Sequence, residues 1–242
     1  MNTHNGVNAA SVSRYGQHVV YETPEYHPAF EEYCETIFEL TEDGLDVKQA
    51  RIAERLSVSR PAVSEMIRKM EREGLVATDD SGDLTLSDDG MVLAQQVVRR
   101  HRLAERFLTD MLDLSWAEAH HEAGKWEHVI SPVVEKALAR VLGNPTTCPH
   151  GNPIPGSDYQ TPVDALALGK IPVGDSFVVQ RIPEELEFEP GLLEYLEDVG
   201  VTPGQIGSVT ATSPDGTTTI DIEGRPFGIG PFAGERILVT AT

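Results

Sequence analysis

A chain of 242 residues with 39 acidic and 19 basic side chains carries a formal charge of -20, which repels nucleic acid on average. That length gives room for two compact domains, and any nucleic-acid contact needs a local exception to the global charge. No apolar run is long enough to span a bilayer, the polar start lacks a signal peptide, and two cysteines exclude a disulfide framework. We therefore expect a cytoplasmic protein with no membrane partner. Only five of the basic residues are lysine. Surplus carboxylate with scarce lysine resembles the halophilic proteins of salt-accumulating archaea, and an acidic mesophilic protein has the same composition.

Residues 1–26 are polar, lack periodicity and read as a flexible arm. Pro28 suits a first helical turn, and Phe30, Tyr33, Cys34, Ile37 and Phe38 follow at helical spacing until Gly44. A short second helix carries Ala50, Ile52, Ala53 and Leu56. A turn over 57–59 leads to a third helix whose buried side is Val63, Met66, Ile67 and Met70, closed by Gly74. Strand candidates at 75–77 and 84–86 flank the turn sequence Asp79-Asp80-Ser81-Gly82. Residues 27–87 thus read as a winged helix-turn-helix. A long helix over 88–112 follows, with Ala94, Val97, His101, Ala104, Leu108 and Met111 forming a coiled-coil-like seam. Ser115 and Glu118 make a capping box, and Ser131-Pro132 starts a further helix stopped by Gly143. Residues 88–143 read as a helical domain whose seam suits a dimer interface. Residues 144–163, rich in Gly and Pro, read as a linker. Over 164–242 come short β runs at 176–179, 206–210, 218–222 and 237–239 with one helix near 191–199, as in a small SH3-like barrel. The fold class is mainly α with a small β domain.

Ser59 can cap the third helix, and Pro61 fits its first turn. Arg60, Ser64, Glu65, Arg68 and Lys69 face outward. A recognition helix puts its N-terminal residues at base edges in the major groove. Arg60 and Ser64 are therefore candidate contacts to bases or sugar-phosphate, and Arg51, Arg55, Arg68 and Lys69 are candidate phosphate partners. Over 41–78, seven basic residues balance seven acidic ones, so the rest of the chain carries the whole -20. A solvated basic face on a protein-interaction module is the plainer alternative.

His101 and Glu105 share a helix face at i and i+4, while His121 and His128 stand seven apart with Glu127 adjoining. Glu32 and Glu35 can close a site from the first helix, although on spacing alone they read as solvated carboxylates. His101 interrupts an apolar seam and needs a partner. Several His and Glu converging from two helices point to a divalent metal. Carboxylate and imidazole donors without thiolate suit Mn²⁺ or Fe²⁺. Cys148-Pro149-His150 has no second pair at finger spacing and reads as a rigid loop.

These stretches carry a resemblance. Ile52-Ala53-Glu54-Arg55-Leu56, Ser59-Arg60-Pro61-Ala62-Val63-Ser64 and Met70-Glu71-Arg72-Glu73-Gly74-Leu75-Val76 resemble the diphtheria toxin repressor family of metal-dependent regulators. So do His101-Arg102-Leu103-Ala104-Glu105-Arg106, Trp126-Glu127-His128-Val129 and Gly151-Asn152-Pro153-Ile154-Pro155-Gly156; later motifs such as Val201-Thr202-Pro203-Gly204 resemble its FeoA-type SH3-like domain. The resemblance implies a homodimer that binds palindromic operator DNA with two metals per subunit and represses metal-uptake genes. It implies an ancillary site of His101, Glu105 and His121 completed by an acidic residue of the barrel, Glu189 or alternatively Glu187. It implies Glu127 and His128 in the primary site. Iron-type members have methionine at the place of Glu32 and cysteine at that of Gly124; manganese-type members have carboxylates at the places of Glu32 and Glu35 and glutamate at that of Gly124. The first helix is thus manganese-like and the barrel iron-type, which favours Mn²⁺ over Fe²⁺. Glu65 replaces a base-contacting glutamine, so the operator sequence is not transferable.

The expected mechanism is that Glu32 and Glu35 face Glu127 without a counter-charge until an ion bridges them and draws the first helix onto the dimerisation helices. Two other readings stand beside it: a winged-helix regulator with an organic effector or none, and a metal-dependent hydrolase, for which no nucleophile or base motif is present.

Overall fold

The computed structural model describes residues 28–242, and the expected arm over 1–26 lies outside them. The DNA-binding region is built from α1 (Pro28–Glu42), α2 (Gln49–Arg55), α3 (Arg60–Arg72) and an antiparallel wing of β1 (Val76–Thr78) and β2 (Leu84–Leu86). One apolar cluster, including Cys34, Ile37, Leu40, Ile52, Ile67 and Met70, fixes α1 to α2 and α3. Burying each large aliphatic side chain there contributes about 2 kcal/mol. As a result, α1 carries the recognition helix with it. Ser59 Oγ accepts from the Ala62 N–H at 3.3 Å, so the cap of α3 is present.

Next come α4 (Asp88–Leu112), α5 (Trp116–Trp126) and α6 (Pro132–Val141), started by caps at Ser87, Ser115 and Ser131. Gly90 is demanded by close packing, since a Cβ there would lie 2.0 Å from the Leu75 carbonyl oxygen. The expected seam on α4 faces inward: Ala94, Val97, His101, Ala104 and Leu108 are buried within the subunit, and only Met111 is exposed. Apolar side chains left to solvent in this region include Val92 and Leu112 on α4 and Val129, Val133, Val134 and Val141 around α6.

Residues 144–163 are packed in part, where a linker was expected. Thr147 bridges Pro153, and Cys148, His150, Asn152 and Ile154 are fully enclosed. Gly151, at φ +88°, permits this seating, because a Cβ would lie 2.3 Å from the Gln180 carbonyl oxygen.

The C-terminal region is a six-stranded antiparallel sheet in the order β3-β8-β4-β5-β6-β7. Its strands are β3 (Leu166–Ala167), β4 (Ser176–Arg181), β5 (Ile206–Thr212), β6 (Thr218–Ile222), β7 (Arg225–Ile229) and β8 (Leu238–Ala241). Between them lie α7 (Glu184–Glu187), α8 (Leu192–Asp198) and α9 (Pro231–Gly234). The core includes Phe177, Val179, Val209, Ile220 and Ile237. Sequence periodicity missed β7, whose Pro226 and Gly228 argue against a strand; at the end of a sheet both are tolerated. Among the described residues no helix is long and apolar enough to cross a membrane.

Candidate metal centres and nucleic-acid face

Two neighbouring clusters of carboxylate and imidazole lie on either side of His101, one toward α1 and the end of α5, the other among α4, α5, α7 and the loop at 148–150. In the outer one, His128 Nδ1 lies 2.7 Å from Glu31 Oε2, and its Nε2 lies 2.9 Å from Glu32 Oε1 and 3.2 Å from Glu127 Oε1. Glu35, Glu127 and His101 form a second group beside it. Glu32, Glu35 and Glu127 thus converge with His128, as their spacing on α1 and at the end of α5 allows. They line a cavity of about 300 Å³. Gly124 also lines that cavity, and a Cβ on it would meet nothing within 4 Å.

The inner cluster is enclosed except at His120, whose side chain is 17% exposed. His101 Nε2 is 3.2 Å from Glu105 Oε1 and 3.3 Å from His120 Nδ1. His120 Nδ1 is in turn 3.0 Å from Glu105 Oε1 and 3.1 Å from Glu187 Oε2. His150 Nδ1 reaches Glu187 Oε2 at 2.9 Å and Glu105 Oε1 at 3.5 Å, with Cys148 Sγ 3.8 Å away. Glu184 joins His120 and Glu187 from α7. The two clusters touch through His101, whose Nδ1 lies 2.5 Å from Glu127 Oε2.

Three sequence expectations need correction here. The structure brings His120, not His121, into the inner cluster; His121 is exposed and lines the outer cavity. The signal was present: His120 continues the buried stripe of Trp116, Ala119 and Ala123, whereas His121 is one step off it. Glu189 is exposed beside Arg51 and Phe232, and the barrel contributes Glu187 and Glu184 instead. The Cys148-Pro149-His150 loop lies against Glu105 and Glu187. No local spacing could show this, because its partners sit on α4 and α7.

The electrostatics are those of sites short of positive charge. Burial, then the charges of Glu127 and Glu39, push the Glu35 carboxyl well above the usual range, and its Oε1 is buried without a hydrogen-bond partner. Glu105 Oε2 and Glu184 Oε2 are likewise buried and unpartnered. Burial, then the charge of Glu187, lifts Glu184 to about 7. Burial opposes charge on His120 and His128, but hydrogen bonds to Glu105 and Glu187, and to Glu31 and Glu32, lift each to about 10. Burial also works against ionised Glu187, yet His150 and His120 hold it at about 2. Protonated imidazoles therefore stand where cations are wanted. Hard oxygen and imidazole donors with orphaned carboxylate oxygens fit a divalent ion.

Arg102 and Arg181, unforeseen from sequence, lock the three regions together. Buried Arg102 donates to Glu184 at 2.9 Å, to Glu42 at 2.7 Å and to the Pro153 carbonyl. Arg181 donates to Glu42 at 2.9 Å and to Asp43 at 2.5 Å.

On the nucleic-acid face, Arg60, Pro61, Glu65, Arg68 and Lys69 are exposed along α3, with Ser59 at its start. Arg68 donates to Ser64 Oγ at 3.2 Å, and Lys69 pairs with Glu65 at 3.0 Å, which holds the Glu65 carboxyl below its ordinary range. Arg51 is part-exposed and 3.4 Å from Glu185. Arg55, expected to face phosphate, is turned inward: its side chain is 6% exposed, lies 3.5 Å from Glu39 and stacks 3.9 Å over the Phe188 ring.

Fold and clusters define a winged-helix protein with a metal-binding helical domain. Residues 26–84 match the family described as "Iron dependent repressor, N-terminal DNA binding domain", 87–156 its "metal binding and dimerisation domain", and 166–241 the "FeoA domain". The "Iron-dependent repressor IdeR" of Mycobacterium tuberculosis is 42% identical over 204 residues, covering 80% of this chain and 88% of that protein. The "Diphtheria toxin repressor" of Corynebacterium jeikeium is 37% identical over 203 residues, covering 75% of this chain and 85% of the relative. A solved "Manganese-dependent transcriptional repressor complex with manganese" superposes with a TM-score of 0.78 at 33% identity, covering 88% of this chain and all of that one.

The chain belongs to the diphtheria toxin repressor/IdeR family of metal-dependent transcriptional repressors. It is a regulator and not an enzyme, and the family binds divalent iron or manganese. Its DNA-binding and dimerisation domains imply operator DNA and a homodimer. The expected fold class is borne out. The comparisons lend no support to the halophilic reading.

Proposed function

We propose that this cytoplasmic repressor holds ions at two centres per subunit, prefers Mn²⁺ with Fe²⁺ as the alternative, and represses metal-uptake genes when loaded. The outer centre draws on Glu32, Glu35, Glu127 and His128. The inner one draws on His101, Glu105, His120, Glu184 and Glu187, with Cys148 and His150 on the far side of the shared carboxylates. The single observation that carries this reading is the pair of orphaned carboxylate oxygens on Glu35 and Glu105, one in each cluster, enclosed among imidazoles. The preference for Mn²⁺ rests on the outer donors being carboxylate and imidazole, with only a glycine at position 124.

A bound divalent cation supplies the positive charge these carboxylates lack. With that charge present, Glu32 and Glu35 hold α1 against α4 and the end of α5. Because α1 shares its core with α3, the recognition helix is fixed at the same time. Two subunits joined across Val129, Val133, Val134 and Val141 would then present recognition helices about one DNA turn, roughly 34 Å, apart. Ligand and shape are coupled only through the ion's preference for the closed state.

The test is operator binding titrated separately with Mn²⁺ and anaerobic Fe²⁺, for wild type and Glu32→Met. Chelator should abolish binding, either metal should restore it, and the substitution should shift preference toward Fe²⁺. Operator binding indifferent to chelator would overturn the proposal. An unchanged metal preference would remove Glu32 from the centre.

A further inference from the structure

Helix α7 is four residues long, yet it presents two faces with different partners. Glu184 and Glu187, at i and i+3, turn toward the inner cluster. Glu187 meets His120 and His150 at 3.1 and 2.9 Å, and Glu184 meets Arg102 at 2.9 Å. Glu185 and the following Phe188, again at i and i+3, turn toward the DNA-binding region. Glu185 pairs with Arg51 of α2 at 3.4 Å and with Arg236, while its backbone N–H donates to Asp43 at 3.0 Å. The Phe188 ring carries the Arg55 guanidinium 3.9 Å above it and meets the edge-on His120 ring at 5.4 Å. One ring therefore separates an inner-cluster histidine from the last residue of α2.

Arg55 and Phe188 line the outer cavity, but neither they nor Glu185 and Arg51 are metal donors or part of the exposed face of α3. Arg55 has surrendered its solvent to this packing: its side chain is 6% exposed, and Glu39 is its ion partner. The stacking of the buried Arg55 guanidinium on the half-exposed Phe188 ring is the firmer tether, and the part-exposed Arg51–Glu185 pair the weaker one. Helix α2 is the first helix of the helix-turn-helix and leads through residues 57–59 into Ser59, the cap of α3. What fixes α2 also fixes where the recognition helix begins.

We propose that Glu185 and Phe188 are positioning residues that couple the inner cluster to the DNA-reading helices through the C-terminal domain, a second route beside α1. Ordering of Glu184 and Glu187 about the inner centre sets α7, and α7 sets α2 through Phe188–Arg55 and Glu185–Arg51. The proposal rests on the metal-dependent repressor reading above.

The experiment compares full-length wild type, Phe188→Ala, Phe188→Tyr and Glu185→Gln. Equilibrium dialysis with Mn²⁺ measures loading, and operator Kd is then measured in saturating Mn²⁺. Loading should be unchanged in all four. Operator Kd should rise about tenfold in Phe188→Ala, the size of a typical coupling, and about threefold in Glu185→Gln, a partly exposed pair. Phe188→Tyr should restore wild-type affinity. A folded, loaded Phe188→Ala and a loaded Glu185→Gln that both bind operator as wild type does would overturn the proposal. So would loss of affinity fully explained by lost Mn²⁺, since Phe188 would then serve the cluster alone. Should Phe188→Ala fail to fold, Glu185→Gln decides. Wild type that ignores chelator would instead sink the repressor reading itself.

Discussion

The outer and inner clusters use the same donor types and differ in how many parts of the chain they draw together. The outer one is made by α1 and the end of α5, with Glu32 and His128 part-exposed. The inner one takes Glu105 from α4, His120 from α5, His150 from a packed loop and Glu187 from α7. Imidazoles stand beside its carboxylates, with Glu187 at about 2 and His120 at about 10, yet Glu105 and Glu184 each keep an unpartnered oxygen. In the outer cluster Glu35 keeps an unpartnered oxygen, and burial among like charges raises its carboxyl. The inner cluster joins more parts of the chain, so its loss is expected to cost the fold more than loss of the outer one.

The largest expected break comes at Glu105, which faces His101, His120 and His150. Glu105→Ala leaves three imidazoles, two of them buried, without their shared carboxylate. Unfolding in denaturant should show a loss of about 3 kcal/mol, the cost of breaking a buried pair, and inner loading should vanish. Glu32→Ala should leave the same unfolding midpoint nearly unmoved. Equal losses would erase the distinction between the centres.

Next is Glu31, missed from sequence because it lies beside the more obvious Glu32. It meets His128 Nδ1 at 2.7 Å, while Nε2 faces Glu32 and Glu127. A carboxylate on the far nitrogen orients a ligating histidine. Glu31→Gln should therefore weaken the outer centre roughly 10- to 100-fold and spare the inner one, as metal titration by isotherm would show.

The pH dependence is smaller and spans both centres. His120 and His128 hold protons up to about 10 in the metal-free protein, so an ion must displace them. Apparent metal affinity should keep rising with pH through 7 to 9 rather than levelling near the ordinary histidine value of about 6.5. For metal-free stability the sign is reversed. These raised pKa values contribute stability fully below about 6.5, and it is lost as pH climbs toward about 10. A flat affinity profile above pH 7 would contradict the proton-occupied clusters.

The finest adjustment is Gly124→Cys. Space for a Cβ exists at the outer cavity, and a soft thiolate donor there should shift preference from Mn²⁺ toward Fe²⁺ in competitive loading. No shift would mean that residue 124 does not reach the ion.

Much of this was legible because it is local. The caps at Ser59, Ser115 and Ser131, the bounds of α4 and the i, i+4 pair His101–Glu105 each depend on residues within one or two turns. Glu32 and Glu35 were legible as candidates, but only the packing of α1 against α4 and the end of α5 brings them to Glu127, His101 and His128. His120 against His121, and Glu187 against Glu189, are choices of phase decided by helices packing across the domain boundaries.

By itself the sequence determined the main elements, their order, the family and most residues of the two clusters, since caps, periodicity and motif spacing are short-range. Tertiary structure alone decided that Arg55 turns inward, that the Cys148–His150 loop lines the inner cluster, and that α7 bridges it to α2. Those contacts join residues up to 134 positions apart, as Arg51 and Glu185 are. Only the packing of separate hydrophobic cores against one another brings such distant side chains within reach.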